Sequence, residues 1–285
     1  GAYHETLGDI HYLFGDTDSG KYGGNDLSLV KLDKDGNLLW TKYYGSANSE
    51  NGFCLNTTTD KNLVFVGEQL TATSTDIVIY KVDTSGTVIW NKTYSTTLNE
   101  SANYIEQTSD GGYIIAGSQN DSLGYFDLFI LKLNSSGDYQ WHKTFGPDRN
   151  EYAKTVHAVK DGYILIGDMG DSLSSYDAIV YKLDSLGNKV WAQSYGDSLV
   201  NGSQGLIATS DGNYLLYGET EASPGERFDG YLEKIDANGT SLWKNTYGGT
   251  GADAVFSVKE TTDGGFVCTG YSNSSNNNEP LDVMV

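Results

Sequence analysis

Ser109-Asp110-Gly111-Gly112-Tyr113-Ile114-Ile115-Ala116-Gly117 is followed by Lys132-Leu133-Asn134-Ser135-Ser136-Gly137-Asp138-Tyr139-Gln140-Trp141, and neither stretch stands alone. Relatives of the first run from Asp161 to Gly167, Asp211 to Gly218 and Asp263 to Gly270. The second, Lys-Leu-Asp-x-x-Gly followed by three residues and Trp, recurs from Lys31 to Trp40, Lys81 to Trp90, Lys182 to Trp191 and Lys234 to Trp243. Successive tryptophans are 50, 51, 50 and 52 residues apart. A fixed period of this length marks a repeat architecture. Within one period lie four short apolar runs, here Ala102–Thr108, Tyr113–Gly117, Leu128–Leu133 and Tyr139–Thr144. They are rich in Ile, Tyr, Leu and Phe and are separated by Gly, Asp, Asn and Ser, which is strand-and-turn chemistry. Asp110-Gly111-Gly112 and Asn134-Ser135-Ser136-Gly137 supply glycine where a tight hairpin needs positive φ. No run keeps a 3.6-residue period beyond two turns, so helix content near zero is expected.

Four antiparallel strands per period of about 50 residues predict an all-β chain, a β-propeller of about six four-stranded blades. One blade cannot bury both faces alone; stacking blades face to face does. The predicted organisation is a single propeller domain, 1–285, with a partial first unit 1–45 that lacks a convincing innermost strand. Full units follow over 46–95, 96–146, 147–196 and 197–248, and a partial last unit over 249–285. The last unit stops in mid-hairpin, so a count of seven or more follows if the sequence continues. Each tryptophan is expected to be largely buried against the next blade.

The Asp-Gly-Gly-Tyr phrase, the Lys-Leu-Asp-x-x-Gly-x-x-x-Trp phrase and Tyr247-Gly248-Gly249 together resemble the propeller repeats of secreted and cell-surface proteins of bacteria and archaea. The Trp phrase is also similar to the tryptophan-docking repeat of quinoprotein propellers. The resemblance implies an extracytoplasmic location (secreted, cell-surface or periplasmic) and a binding or assembly role. Quinone-dependent dehydrogenases of the wider group carry adjacent cysteines and a calcium site. Here Cys54 and Cys268 lie in different units, which does not support that activity.

Charge excludes other classes. With 38 acidic and 18 basic side chains, the formal net charge is −20, and such a chain repels nucleic acid. No apolar stretch approaches the roughly 18 residues of a membrane-spanning helix, so no membrane insertion is expected. Two cysteines are too few for a disulfide framework.

Residues common to every unit read as scaffold, and residues peculiar to one unit as candidates for function. The shared set includes the Asp opening each third strand (Asp26, Asp76, Asp127, Asp177, Asp229, Asp282) and, five residues after the first five of these, Lys31, Lys81, Lys132, Lys182 and Lys234. It also includes an acid or amide opening each innermost strand: Glu50, Glu100, Glu151, Asn201 and Asp253. These are expected to cap backbone amides or to pair with one another; the sharper reading makes Glu50, Glu100, Glu151 and Asp253 channel-mouth acids that hold a cation. Loops between second and third strands vary in length and chemistry, and variable loops on a rigid scaffold are where binding sits. Tyr22, Phe126, Tyr176, Arg227 and Phe228 are the binding candidates there, and Asp168 and Glu219 are also unit-specific.

Asp16-Thr17-Asp18-Ser19-Gly20 begins like a calcium loop, with Asp16 and Asp18 as ligands, but Gly20 and Leu27 depart from the full pattern. Calcium is the one cofactor the sequence suggests; otherwise none. Gly249-Thr250-Gly251-Ala252-Asp253-Ala254 mimics a dinucleotide fingerprint but precedes a strand, not a helix. His4, His11, His142 and His157 show no metal-ligand spacing, and no nucleophile elbow is present. Four Asp-Ser-Leu triplets resemble an O-glycan acceptor motif, which would make Ser122, Ser172, Ser185 and Ser198 acceptors; ordinary turn chemistry explains the same triplets. The expected function is a non-catalytic propeller that binds a protein or glycan on its loop face, as a module of a cell-surface or secretion assembly. The alternatives are a carbohydrate-active enzyme using loop carboxylates and a calcium-dependent adhesion module.

Overall fold

The computed structural model describes residues 3–18, 21–146, 150–172, 175–196, 200–221, 223, 227–273 and 282–284. Among them are 23 strands and no helix, and the fold is a β-propeller. The chain divides into two compact units, Gly1–Pro147 and Asp148–Val285.

The first unit holds three four-stranded antiparallel blades. Blade 1 is β1 (Tyr3–Leu7), β2 (Ile10–Thr17), β3 (Asp26–Leu32) and β4 (Leu38–Tyr44). Blade 2 is β5 (Ser49–Thr57), β6 (Leu63–Leu70), β7 (Thr75–Val82) and β8 (Val88–Tyr94). Blade 3 is β9 (Glu100–Gln107), β10 (Tyr113–Asn120), β11 (Phe126–Leu133) and β12 (Tyr139–Phe145). The region 1–45 therefore carries all four strands. Tyr3–Leu7 alternates half-buried and exposed side chains and pairs with β2 from Tyr3↔Phe14 to Leu7↔Ile10. The sequence reading misses β1 because half-exposed Tyr-His-Glu-Thr-Leu has no continuous apolar run.

The second unit holds blade 4, β13 (Asn150–Val159), β14 (Gly162–Ser172), β15 (Ser175–Leu183) and β16 (Lys189–Tyr195). Blade 5 follows with β17 (Asn201–Ala208), β18 (Tyr214–Glu221), β19 (Phe228–Ile235) and β20 (Ser241–Tyr247). The described strands of blade 6 are β21 (Asp253–Glu260), β22 (Phe266–Ser272) and β23 (Asp282–Met284).

The repeated phrases are the turns and what they hold. Between third and fourth strands, Oδ1 of Asp33, Asp184 or Asp236 accepts the N–H groups two and four residues on, and Asn134 does the same. The glycine of that turn has φ between 77° and 84°, a region that costs other residues roughly 1–2 kcal/mol. In the first-to-second turn the third-strand lysine reaches back to the turn aspartate: Lys81 to Asp60 at 2.6 Å, Lys132 to Asp110 at 3.0 Å, Lys182 to Asp161 at 2.7 Å and Lys234 to Asp211 at 2.6 Å. The ammonium end is buried or nearly so, whereas the aspartates are about half exposed or more.

Glycine closing the second strand has a different reason. A β-bulge recurs in the first strand, at Gly52/Cys54, Ala153/Thr155, Ser203/Gly205 and Val255/Ser257. It pushes a carbonyl against the neighbouring strand, so that a Cβ on Gly117, Gly218 or Gly270 would lie 1.8–2.0 Å from the oxygen of Ser101, Gly202 or Ala254.

The cores lie between adjacent blades. Tyr12, Phe14, Leu27 and Leu29 of blade 1 pack on Leu63, Phe65 and Val78 of blade 2. Ile77 and Ile79 of blade 2 meet Ile105, Tyr113, Phe129 and Leu131 of blade 3. In the second unit, Ile164, Ile166 and Val180 face Leu206, Tyr214 and Tyr231, and Leu215 and Leu232 face Val255 and Val258. First strands also touch in succession, β1 on β5 on β9 and β13 on β17 on β21.

Outer strands are joined by the tryptophan phrase. The rings of Trp40, Trp90 and Trp191 cover Gly86, Gly137 and Gly239 of the next blade, within 2.9–3.0 Å of where a Cβ would stand. Tyr44 Oη donates to the Gly86 carbonyl at 2.8 Å, and Tyr195 Oη to the Gly239 carbonyl at 2.6 Å. The indoles are half-buried, and those of Trp40, Trp90, Trp191 and Trp243 pack against the cores between blades, in keeping with the expected docking. Trp40, Trp90 and Trp191 each lay the ring on a turn of the next blade and leave part of their surface to solvent. Cys54 is buried, Cys268 is half-buried, and both thiols are free, as their placement on different units predicts.

Candidate functional site

The acids opening the first strands are deeply buried, with Glu50, Glu100, Glu151 and Asp253 0–1% exposed. Each is engaged locally. Glu50 accepts from Ser46 N–H at 3.1 Å, Ser46 Oγ at 2.6 Å and Gln69 Nε2 at 2.9 Å. Glu100 accepts from Thr96 N–H at 3.3 Å, from the Thr96 hydroxyl and from Gln119 Nε2 at 2.7 Å. Asp253 caps Gly249 N–H at 3.1 Å, and Tyr181 Oη donates to Glu151 at 3.4 Å. Glu50, Glu100 and Asp253 thereby fasten the linkers that precede their strands, and Glu151 is held within its own blade. Asp26 works beside Glu50, taking the Lys21 and Tyr22 N–H groups at 3.1 and 3.3 Å. A Cβ on Gly45 would lie 2.6 Å from both Asp26 Oδ1 and Glu50 Oε2, which accounts for glycine after the fourth strand.

Asp16 is exposed on β2 and Asp18 is exposed just beyond it; Ser19 and Gly20 lie outside the described residues. Among the described residues no three His, Cys, Asp or Glu side chains are grouped to hold a metal. Antiparallel pairing of β1 with β2 does bring His4 and His11 together, Nε2 to Nδ1 at 3.0 Å with stacked rings, a juxtaposition their seven-residue separation hides. Of the Asp-Ser-Leu triplets, Asp121 and Asp184 cap their own turns, leaving Ser122 and Ser185 exposed at the tips. Ser172 lies on β14 with its side chain undescribed, and Ser198 falls outside the described residues.

At the loop edge of the second unit, pairing and a bulge assemble a titratable cluster. Asp168 on β14 is 8% exposed and accepts Ser203 N–H at 2.7 Å and Ser203 Oγ at 2.6 Å. Lys154, the bulged residue of β13, ion-pairs with it at 3.1 Å. Bulges commonly re-aim a side chain in this way. Burial, then the Asp168 charge, push the Glu219 carboxyl above its ordinary range, against the pull of Lys154 and of a hydrogen bond from Tyr176. The Tyr176 phenol is raised in turn by burial and by Glu219 and Asp168. Among the binding candidates, Tyr176, Phe126 and Phe228 are half-buried at the openings of third strands, while Arg227 is exposed.

The first unit carries a groove of about 560 Å³ along β4 and the flank of blade 2. Its described lining includes Lys21, Tyr22, Lys42, Tyr43, Tyr44 and Tyr80, and no carboxylate. Tyr22 is 47% exposed. Lys21 Nζ stands 5.2 Å from the Tyr22 ring centre and 5.3 Å from that of Tyr43, within cation–π range. Phe65 stacks behind Tyr80 at 5.4 Å and Tyr44 packs beside it at 5.5 Å, so this wall is rigid. Of these residues the sequence reading selects Tyr22 as a binding candidate. It passes over Lys42, Tyr43 and Tyr80, which stand within strands of the repeated phrase and meet only when blades stack.

No family model matches the chain, and no curated protein matches it in sequence. Solved structures resemble it in fold. Hydrazine synthase of Kuenenia stuttgartiensis aligns with a TM-score of 0.60 at 12% identity, over 95% of this chain and 72% of that one. The periplasmic gluconolactonase PpgL of Pseudomonas aeruginosa gives 0.58 at 15% identity, over 96% and 81%. The subtype N10 neuraminidase-like protein of influenza A/little yellow-shouldered bat/Guatemala gives 0.54 at 11% identity, over 96% and 84%. These likenesses are to the propeller fold.

Proposed function

We propose that the chain is a non-catalytic, extracytoplasmic binding propeller that takes a glycan or protein partner, as a module of a cell-surface or secretion assembly. The observation that supports this most is the groove of the first unit. Rigid tyrosines with lysines among them, at the edge of a loop, are what a recognition surface needs. The surrounding charge of −20 fits neither nucleic acid nor an anionic membrane as partner. The location rests on the repeat phrases, and the fold likeness to a periplasmic gluconolactonase agrees with it. The test is chemical cross-linking of the full chain to its source cells and to a glycan array, with Tyr22→Ala and Tyr43→Ser as controls. Partner capture lost in both variants, at a melting temperature within a few degrees of the parent, is expected. Capture indifferent to both would refute the groove as the site.

A second reading, a carbohydrate-active enzyme, has one observation in its favour: Glu219, its carboxyl raised above the ordinary range by burial, stands near Asp168, which accepts two hydrogen bonds and an ion pair. Carboxyl groups whose environments differ in this way suit an acid and a base. Hydrolysis of chromogenic glycosides that disappears in Glu219→Gln would move the assignment to this reading.

A further inference from the structure

We infer that the groove of the first unit is a subsite for a carboxylated sugar, a uronate residue of an acidic polysaccharide; this deepens the binding-module reading and rests on it. The argument starts from a comparison inside the molecule. The second unit carries a groove of about 520 Å³ at the equivalent junction, along β16 and the flank of blade 5. Both are framed alike, each with a fourth-strand tyrosine donating to the turn glycine of the next blade, Tyr44 to Gly86 and Tyr195 to Gly239. Their linings differ. Counting from the shared tryptophan, Lys42 and Tyr43 stand where the second unit has Gln193 and Ser194. Counting from the aspartate of the third strand, Tyr80 stands where it has Glu233. The repeat therefore does not require these three residues, and the first unit has turned a framework groove into one that is aromatic and cationic.

Three features select the ligand. Tyrosine faces offer flat apolar area with little rotamer entropy to lose, and the C–H face of a pyranose ring lies flat on such a surface. Two lysines, with no carboxylate among the described lining residues, favour an anion in a protein whose overall charge repels anions; the Lys21 ammonium stands over the Tyr22 and Tyr43 rings and so puts positive charge on the aromatic wall itself. Asn91, exposed and lining the groove, adds both a donor and an acceptor for sugar hydroxyls. Lysine binds as a mobile point charge, which matches a single carboxylate on a ring.

The experiment is calorimetric titration of the full chain with a tetragalacturonate and, separately, with neutral galactotetraose and a sulfated galactan oligomer. The decisive variant is Lys42→Gln with Tyr43→Ser, which installs residues the same framework already carries in the second unit; Tyr22→Ala, on an exposed loop, is the independent variant should the first perturb folding. Tetragalacturonate binding that exceeds galactotetraose binding at least tenfold, weakens with salt and falls at least tenfold in either variant is the expected result. Equal affinity for the neutral sugar, or a preference for the sulfated one, overturns the uronate assignment and leaves the binding-module reading standing. Absence of binding to all three, or binding unchanged in both variants, overturns the saccharide subsite itself.

Discussion

Replacing Gly137 by alanine tests how the blades are joined. Gly137 has φ 78°, and a Cβ there would lie 2.9 Å from Trp90 Cε3 and Cζ3. Gly111 has nearly the same backbone, φ 80°, but a Cβ there would meet nothing closer than Ser135 Cβ at 3.7 Å. Both substitutions carry the left-handed backbone penalty, roughly 1–2 kcal/mol. Only Gly137→Ala must also lift the indole from its turn, and overpacking of this kind costs typically about 1–3 kcal/mol more. At about 2–4 °C per kcal/mol for a unit of this size, Gly111→Ala is expected to lower the melting temperature by roughly 2–8 °C and Gly137→Ala by roughly 4–20 °C. Urea unfolding followed by tryptophan fluorescence gives the same comparison isothermally. Trp90→Ala supplies the third corner: in its background Gly137→Ala should cost no more than Gly111→Ala. Equal losses for the two glycines in the parent would refute the docking of the tryptophan on the turn.

Acid should loosen the first-to-second turns. Partial burial works to raise the Asp60 and Asp110 carboxyls, but hydrogen bonds from Lys81 and Thr58, and from Thr108 and Lys132, outweigh it and hold both at about 2. Their unfolded value is about 3.9, so their stabilisation is full above about pH 4 and is lost as pH falls toward 2. Urea midpoints against pH should show this drop, and Asp60→Asn with Asp110→Asn should flatten it; an unchanged slope would refute the role of these pairs. Burial raises the Cys54 thiol to about 12, so it should resist a disulfide exchange reagent at pH 8 in the folded chain and react on unfolding; prompt reaction in the native state would contradict the burial. Tyr44→Phe and Tyr195→Phe each leave a turn carbonyl without its donor. Each should cost about 1–2 kcal/mol, measured by denaturant titration, and a neutral effect would count against the bond.

Much of this protein is legible in its sequence because its determinants are local. A strand needs alternating or apolar runs, a hairpin needs glycine at positive φ, and an aspartate that caps its own turn needs only neighbours two and four residues away. The period, the four strands of each full repeat and the turn at Asn134–Gly137 follow from such rules. Where a blade departs from the consensus the rules fail, as with β1, whose half-exposed residues become a strand only by pairing with β2. Function is the larger gap. Asp168 and Glu219 are recognisable as peculiar to their repeats, but that Lys154 and Ser203 bind one and Tyr176 the other follows from a bulge and from blade stacking. Lys42, Tyr43 and Tyr80 lie in strands that look like scaffold and become a groove only when β4 of one blade meets β7 and β8 of the next. The sequence by itself determines which segments pair locally; contacts between residues about 40 positions apart are set by how the blades pack, and only the tertiary structure decides them.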